Sequence, residues 1–110
     1  MRQLFIDELS REDVSLVKKF LKESEIESGV EGLYWVELSK DLLDPEQLAC
    51  EADHPFCFAV EVGDSWVKFE FLIRSRTNLR SAQMRYANRF QQNFILDYSA
   101  RMIENLGLKT

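Results

Sequence analysis

The chain has 110 residues, of which 45% are hydrophobic and 12% aromatic, and this composition indicates a single globular domain over 1–110 rather than a disordered segment. No apolar run approaches the roughly 20 residues of a membrane span, and the first residues lack the pattern of a signal peptide. Two cysteines, Cys50 and Cys57, make no disulfide framework. We therefore predict a cytoplasmic protein with free thiols and no membrane association.

Charge is distributed unevenly along the chain. Residues 1–70 contain 7 Lys/Arg and 17 Asp/Glu, whereas residues 71–110 contain 7 Lys/Arg and 2 Asp/Glu. The net charge of −5 argues against nonspecific binding of nucleic acid, which depends on neutralising phosphates. The basic segment nevertheless predicts a local site of positive charge.

The N-terminal residues predict a strand or lead followed by a helix. Residues 1–9 can pack against the core or form an edge strand. Ser10 has the position of an N-cap and opens a predicted helix over about 11–25, whose apolar residues recur at helical spacing. Gly29 is expected to end that helix in a left-handed conformation.

The next segment predicts a strand and a short helix. Residues 32–38, GLYWVEL, favour a strand that is covered on both faces, because both sets of alternate positions carry apolar groups. Asp44 as N-cap, Pro45 at the first position and Gln47 as capping-box partner predict a helix over about 45–52.

A β-hairpin over about 55–62 and 66–74 forms the predicted centre of the fold. The pair Gly63-Asp64 predicts a two-residue turn with Val60 opposite Val67, and a loop two residues longer would keep the same faces. One face is expected to be core, because it carries four phenylalanines: Phe56, Phe58, Phe69 and Phe71. The opposite face mixes apolar and charged groups, and its charges predict cross-strand ion pairs among Glu61, Lys68, Glu70 and Arg74.

The C-terminal part leaves one alternative open. Residues 79–87 favour a further strand, although their spacing also fits the opening of a long helix. Asn88 and Gln91 form a capping box, so a helix is predicted over about 89–106, with Gly107 ending it. This helix carries more apolar surface than one sheet can cover, which predicts a partner.

Together these elements predict an α+β fold. The expected architecture is a three- or four-stranded, mostly antiparallel sheet around the central hairpin, with the helices over about 11–25 and 89–106 packed on one face. In overall profile, an acidic chain of 12.9 kDa with mixed helix and sheet and an over-apolar helix, the sequence is similar to small bacterial secretion chaperones.

Few residues of the sequence have a spacing that suits catalysis or metal binding. Cys50, His54 and Cys57 have a C-x3-H-x2-C spacing, but a zinc site needs three or four ligands, usually with a second Cys/His pair. His54 is the only histidine, so no serine or cysteine has a second candidate base. We predict no metal, no cofactor and no catalytic residue, and rank an enzyme third among the function classes.

Two hypotheses remain for function. The first is a non-enzymatic protein-interaction module, a homodimer or the partner of another protein, whose interaction surface includes Trp66, Leu72, Leu96 and Ile103. The second is a regulatory domain that binds an anionic ligand, a nucleotide or phosphorylated metabolite, through the segment 74–89. Its candidate ligands are five arginines: Arg74, Arg76, Arg80, Arg85 and Arg89. The same arginines could instead pair with the acidic first 70 residues.

Overall fold

The computed structural model describes residues 2–108, which fold into three α-helices and a seven-stranded antiparallel sheet. The elements in chain order are β1 (Gln3–Ile6), α1 (Arg11–Ser24), β2 (Ile26–Glu27), β3 (Leu33–Glu37), α2 (Pro45–Ala49), β4 (Phe56–Val62), β5 (Val67–Glu70), β6 (Leu72–Ser75), β7 (Arg85–Tyr86) and α3 (Arg89–Leu106). The predicted α+β class is confirmed, and the sheet has more strands than predicted.

The sheet is built around β4. Its main strand order is β1-β5-β4-β3-β2, while β6 pairs with the start of β4 and with β7. Strand β6 continues β5 after Phe71, and the register changes there, from Val60 opposite Phe69 to Cys57 opposite Arg74. The change amounts to two residues, so each side chain keeps its face of the sheet.

The hairpin loop is longer than a two-residue turn. Val62 lies opposite Val67, so four residues, 63–66, connect β4 to β5, and the predicted pairing of Val60 with Val67 is wrong by two residues. The faces are nevertheless as predicted. A Cβ at Gly63 would lie 2.1 Å from the indole of Trp66. The ring therefore packs directly on the glycine backbone, and the longer loop provides the space for it.

The core lies between one face of the sheet, here called the inner face, and helices α1 and α3. The four predicted phenylalanines of β4, β5 and the β5–β6 junction are fully buried. From α1, Val17 and Leu21 join them, and from α3, Ile95 and Met102. Tyr98 of α3 packs edge-on against Phe58 of β4, with ring centroids 5.8 Å apart. Both long helices thus pack on the same face, as predicted.

Helix α1 begins as predicted but ends differently. The Ser10 side chain accepts a hydrogen bond from the Asp13 backbone N–H at 3.1 Å. The helix ends at Ser24, and Ile26 then pairs with Trp35 of β3, so the chain is already extended before it reaches Gly29. Gly29 (φ 94°) therefore lies in the β2–β3 connection, and its predicted role as the end of the helix is wrong.

The prediction of a strand over 79–87 is also wrong for most of its length. Only Arg85–Tyr86 forms a strand, and most of the segment is a loop. Hydrogen bonds from Asn78 and Ser81 hold this loop to the segment that follows α2. Helix α2 itself ends at Ala49, and a 3-10 turn over Glu51–Asp53 takes the place of the predicted last helical residues.

Candidate functional site

The face of the sheet opposite α1 and α3, here called the outer face, carries the candidate site. Residues paired across antiparallel strands share a face, so the register defines rows of neighbours across the sheet. One row crosses four strands and consists of Phe5, Lys68, Glu61 and Leu33. A second row consists of Glu37, Cys57 and Arg74.

Apolar side chains on the outer face do not join the core. Leu33, Trp35 and Leu72 are half-buried, and none belongs to the hydrophobic cluster between the sheet and the helices. Phe5 is 47% exposed and Tyr86, opposite Leu72, is 44% exposed. The outer face therefore presents an apolar surface that the described helices leave uncovered.

Trp66 and Phe5 form an aromatic pair on this surface. Their rings are stacked with centroids 5.4 Å apart and planes inclined by 27°. Trp66 packs on Gly63 as well, so the indole is fixed between a glycine backbone and a second ring. A rigid aromatic anchor loses little side-chain entropy on binding, which is the property of residues that dominate protein interfaces.

Ion pairs lie between the apolar side chains. Lys68 of β5 contacts Glu61 of β4 at 3.1 Å, which confirms one predicted cross-strand ion pair. Arg74 contacts Glu70 at 3.4 Å, four residues away along the continuous β5–β6 segment, so this ion pair is formed but is not cross-strand. At the margin of the face, Arg76 contacts Glu37 at 3.3 Å. Because the charges neutralise one another within the face, it is close to neutral in a protein of net charge −5.

Small side chains occupy the middle of the outer face. Cys57 and Ala59 are 0% and 2% exposed, since their neighbours across the sheet, including Trp35 and Arg74, are much larger. Burial raises the pKa of the Cys57 thiol to about 12. The thiol is therefore protonated at neutral pH, which makes it a packing group rather than a nucleophile.

The predicted interaction residues divide into two groups. Trp66 and Leu72 lie on the outer face. Leu96 and Ile103 of α3 are half-buried and pack against the core, because the sheet and α1 together cover more of α3 than one sheet could. Trp66 and Leu72 are also half-buried, but they do not pack against the core, and therefore they define the candidate surface.

The five candidate anion-binding arginines are found in different environments. Arg74 and Arg76 form the ion pairs described above, and Arg85 contacts Glu46 at 2.9 Å and Asp44 at 3.4 Å. These acids raise the pKa of Arg85, its hydrogen bond with Glu46 most of all. Arg80 and Arg89 are exposed. Three of the five thus pair with acids of the first 70 residues, as expected if they stabilise the fold.

A buried carboxylate organises the loop that precedes β7. Asp53 accepts hydrogen bonds from the hydroxyl of Ser81, from the amide of Asn78 at 3.1 Å and from the thiol of Cys50 at 3.3 Å. These bonds, first of all that from Ser81, hold the pKa of Asp53 below its usual value. The hydrogen bond that the Cys50 thiol donates to Asp53 raises the pKa of Cys50. The carboxylate of Asp53 is thus ionised and already accepts hydrogen bonds from three side chains of its own chain.

His54 lies beside this cluster but bonds elsewhere, since its Nε2 contacts the carbonyl oxygen of Gln47 at 2.8 Å. The side chains of Cys50, His54 and Cys57 therefore do not form a set of metal ligands. Within residues 2–108, no group of three or more His, Cys, Asp or Glu side chains is placed to hold a metal ion.

An open cleft of about 520 Å³ lies between α1 and the β2–β3 connection. Its α1 side carries Lys18, Lys19 and Lys22, and its opposite side carries Glu27 and Glu31. Charges of both signs line the cleft, so it does not have the uniformly positive lining that favours an anion.

Sequence reasoning did not identify Phe5, Leu33 and Trp35 as outer-face residues. The alternation in GLYWVEL separates Leu33 and Trp35 from Tyr34 and Val36, but it does not say which set faces the helices. Pairing of Tyr34 with Val60, a core residue, decides this. That long-range contact leaves no local signal in the sequence.

Comparison with protein-family models, with curated proteins and with solved structures finds no match for the chain. Among the described residues, no helix combines the length and apolar character needed to cross a membrane.

Proposed function

We propose that this protein is a non-enzymatic protein-interaction module that forms a homodimer and contacts a partner protein through the outer face of its sheet. The observation that carries the proposal is the set of apolar side chains there that lie outside the core: Phe5, Leu33, Trp35, Trp66 and Leu72. Aromatic anchors surrounded by polar groups are typical of protein-binding surfaces.

The ion pairs of the outer face support a protein partner rather than a small ligand. Lys68–Glu61 and Arg74–Glu70 lie within the sheet plane and leave the surface without a dominant charge. A small anion would find no concentrated positive charge, whereas a protein surface could cover the apolar groups together with the ion pairs between them, whose charges already neutralise each other.

The reactive side chains support a role without catalysis. Cys57 is buried with a raised pKa, and the carboxylate of Asp53 already accepts hydrogen bonds from Ser81, Asn78 and Cys50. A nucleophile needs an available base or a lowered pKa, and neither thiol has one. A reducing compartment such as the cytoplasm fits these two free cysteines and remains part of the proposal.

A photo-crosslinking experiment in the cells that produce the protein tests the outer face directly. A benzophenone amino acid is placed at Leu72 or Trp35, and at Glu23 on α1 as a control. We expect a discrete crosslinked protein from the two outer-face positions and none from Glu23. Equal products from all three positions, or none from the outer face, would count against the proposal.

A pair of matched variants then measures the contribution of the face to binding of the crosslinked partner. Leu72→Lys places a charge on the outer face, and Leu16→Lys makes the same change on α1, where Leu16 is 40% exposed. A central interface residue contributes about 2 kcal/mol or more, so Leu72→Lys should weaken binding by about thirtyfold. Leu16→Lys should leave the affinity unchanged.

The alternative, a regulatory domain that binds an anion through the segment 74–89, remains a proposal with a test of its own. Arg80 and Arg89 are exposed. This alternative requires that Arg85 leaves its ion pairs with Glu46 and Asp44 and binds the ligand together with these two arginines. Stabilisation of the protein by phosphate or a nucleotide, lost in Arg80→Ala and Arg85→Ala, would favour it over the interaction module.

A further inference from the structure

The two lateral edges of the sheet differ in a way that concerns self-association. One edge is β2, which has two residues, and short edge strands are a common protection against pairing with other chains. The other edge includes β1, whose four residues are Gln-Leu-Phe-Ile. Strand β1 contains no proline, lysine or other charged residue, so it lacks the usual protections of an exposed edge.

The backbone of β1 has a defined outward side. The carbonyl oxygen of Arg2 accepts a hydrogen bond from the N–H of Phe71 at 3.0 Å, so the polar groups of Arg2 point towards β5. Backbone groups of successive strand residues point to opposite edges, and therefore those of Leu4 and Ile6 also point towards β5. The N–H and C=O groups of Gln3 and Phe5 therefore point away from the sheet, and Asp7, directly after the end of β1, continues the same alternation.

We infer that two copies of the chain pair through β1, antiparallel, around a two-fold axis at Phe5. In this register Phe5 lies opposite Phe5 of the second copy and Gln3 lies opposite Asp7. These are the outward-pointing residues, so each such pair can exchange two N–H···O bonds. A two-fold axis makes the contact self-complementary, which is the commonest form of a homodimer interface.

The side chains favour this register over registers shifted along the strand. Leu4 lies opposite Ile6 of the second copy, and because both residues pack against the core of the inner face, their pairing extends that core across the junction. One step further, Glu8 lies opposite Arg2, and this pair occurs twice by symmetry. The guanidinium of Arg2 already contacts Tyr86 of its own chain, donating to the hydroxyl at 3.1 Å and lying 4.5 Å from the ring centroid, so Glu8 would add to that contact. Glu8 has φ 58° and therefore ends the strand, which limits the pairing to this segment.

Pairing of this kind leaves the outer face open and enlarges it. The two-fold axis is perpendicular to the sheet, so the outer faces of both copies lie on the same side. Phe5 and Trp66 of the two copies then meet at the centre of a continuous surface. The inference specifies the self-association within the proposed function and rests on it, but the edge and the face can be tested separately.

Sedimentation analysis of Phe5→Pro and Phe5→Ala tests the edge. Both variants lose the ring stacked on Trp66, but only proline removes the outward N–H at the two-fold axis. Circular dichroism and thermal melting check that both variants fold. We expect wild type and Phe5→Ala to dimerise, and the dissociation constant of Phe5→Pro to be at least about tenfold higher than that of Phe5→Ala, because two hydrogen bonds are lost.

A charge exchange tests the register without proline. Arg2→Glu and Glu8→Arg should each weaken the dimer, and the double variant should restore it, because each altered residue then faces an opposite charge. A monomer at about 100 µM, a Phe5→Pro dissociation constant equal to that of Phe5→Ala, or no restoration in the double variant would overturn the inference. If Leu72→Lys abolishes the dimer and Phe5→Pro does not, the copies associate through the outer face. The inference about the β1 edge would then be wrong, while the proposed interaction module would stand.

Discussion

Gln91 of α3 donates a hydrogen bond from its Nε2 to Oε1 of Gln47 of α2 at 3.0 Å, and both side chains are almost completely buried. Each glutamine is the third residue of its helix and closes a capping box with its N-cap residue. Gln91 Nε2 also donates to the Leu42 carbonyl oxygen, and Gln47 Nε2 to that of Gln83. The pair therefore joins two helix starts to two loops.

Replacement of Gln91 by Glu should destabilise the protein in a pH-dependent manner. The new carboxylate faces two acceptors, the oxygens of Leu42 and Gln47, and we expect a loss of about 3 kcal/mol in the free energy of unfolding at pH 7. Burial among acceptors raises the pKa of this carboxyl above its unfolded value of about 4.3. The loss is therefore greatest at neutral pH and shrinks as the acid becomes protonated.

Urea unfolding between pH 4 and pH 8 measures this loss. Asn93→Asp makes the same amide-to-carboxylate change at an exposed position of α3 and should alter stability by less than about 0.5 kcal/mol. Equal effects of the two substitutions, or a loss at position 91 that does not depend on pH, would contradict the assigned role of the pair.

Replacement of Asp53 by Asn should lower the melting temperature at neutral pH. An amide cannot accept all the hydrogen bonds that Ser81, Asn78 and Cys50 donate to the carboxylate. The pKa of Asp53 is depressed in the folded protein, so its stabilisation is present above the unfolded value, about 3.9. That stabilisation is lost as the pH falls through the folded pKa.

The difference in melting temperature between wild type and Asp53→Asn should therefore narrow below about pH 4. Asp41→Asn, at an exposed position in the same part of the chain, provides the control and should show a much smaller difference at neutral pH. A difference for Asp53→Asn that stays constant down to pH 2 would show that the charge of Asp53 is not what stabilises the loop.

Local signals in the sequence predicted the elements better than their contacts. Both capping boxes are visible as spacings of three residues, and α3 occupies Arg89–Leu106 as predicted. The bond between Gln47 and Gln91 spans 44 residues, and no local pattern indicates it. The same holds for the outer face, since alternation separates the two faces of β3 but only pairing with β4 assigns them.

The incorrect predictions share a physical cause. Alternation, the helix start at Asn88 and the need for a further strand all favour a strand over 79–87, but Ser81 bonds to Asp53 and thereby holds the backbone in a loop. Gly29 was assigned to the end of α1, but pairing of Ile26 with β3 takes the chain into the sheet first. In both places a tertiary contact overrides the local preference of the sequence.

Replacement of Gly63 by Ala should displace the indole of Trp66. The added Cβ would lie 2.1 Å from the ring, so the ring must move and lose its stacking on Phe5. We expect a loss of about 1–3 kcal/mol in the free energy of unfolding and a change in tryptophan fluorescence. In a Trp66→Leu background the same substitution should cost at least about 1 kcal/mol less, and an unchanged cost would contradict the packing described.

Addition of phosphate or a nucleotide should leave the melting temperature almost unchanged if the arginines of segment 74–89 are structural. Arg85→Ala then removes partly exposed ion pairs with Glu46 and Asp44 and should cost no more than about 1 kcal/mol. Arg80→Ala changes an exposed residue and serves as the control, with an effect within about 0.5 kcal/mol. A thermal shift that saturates with ligand concentration and disappears in both variants would instead identify these arginines as an anion site, because binding to the folded state alone stabilises it.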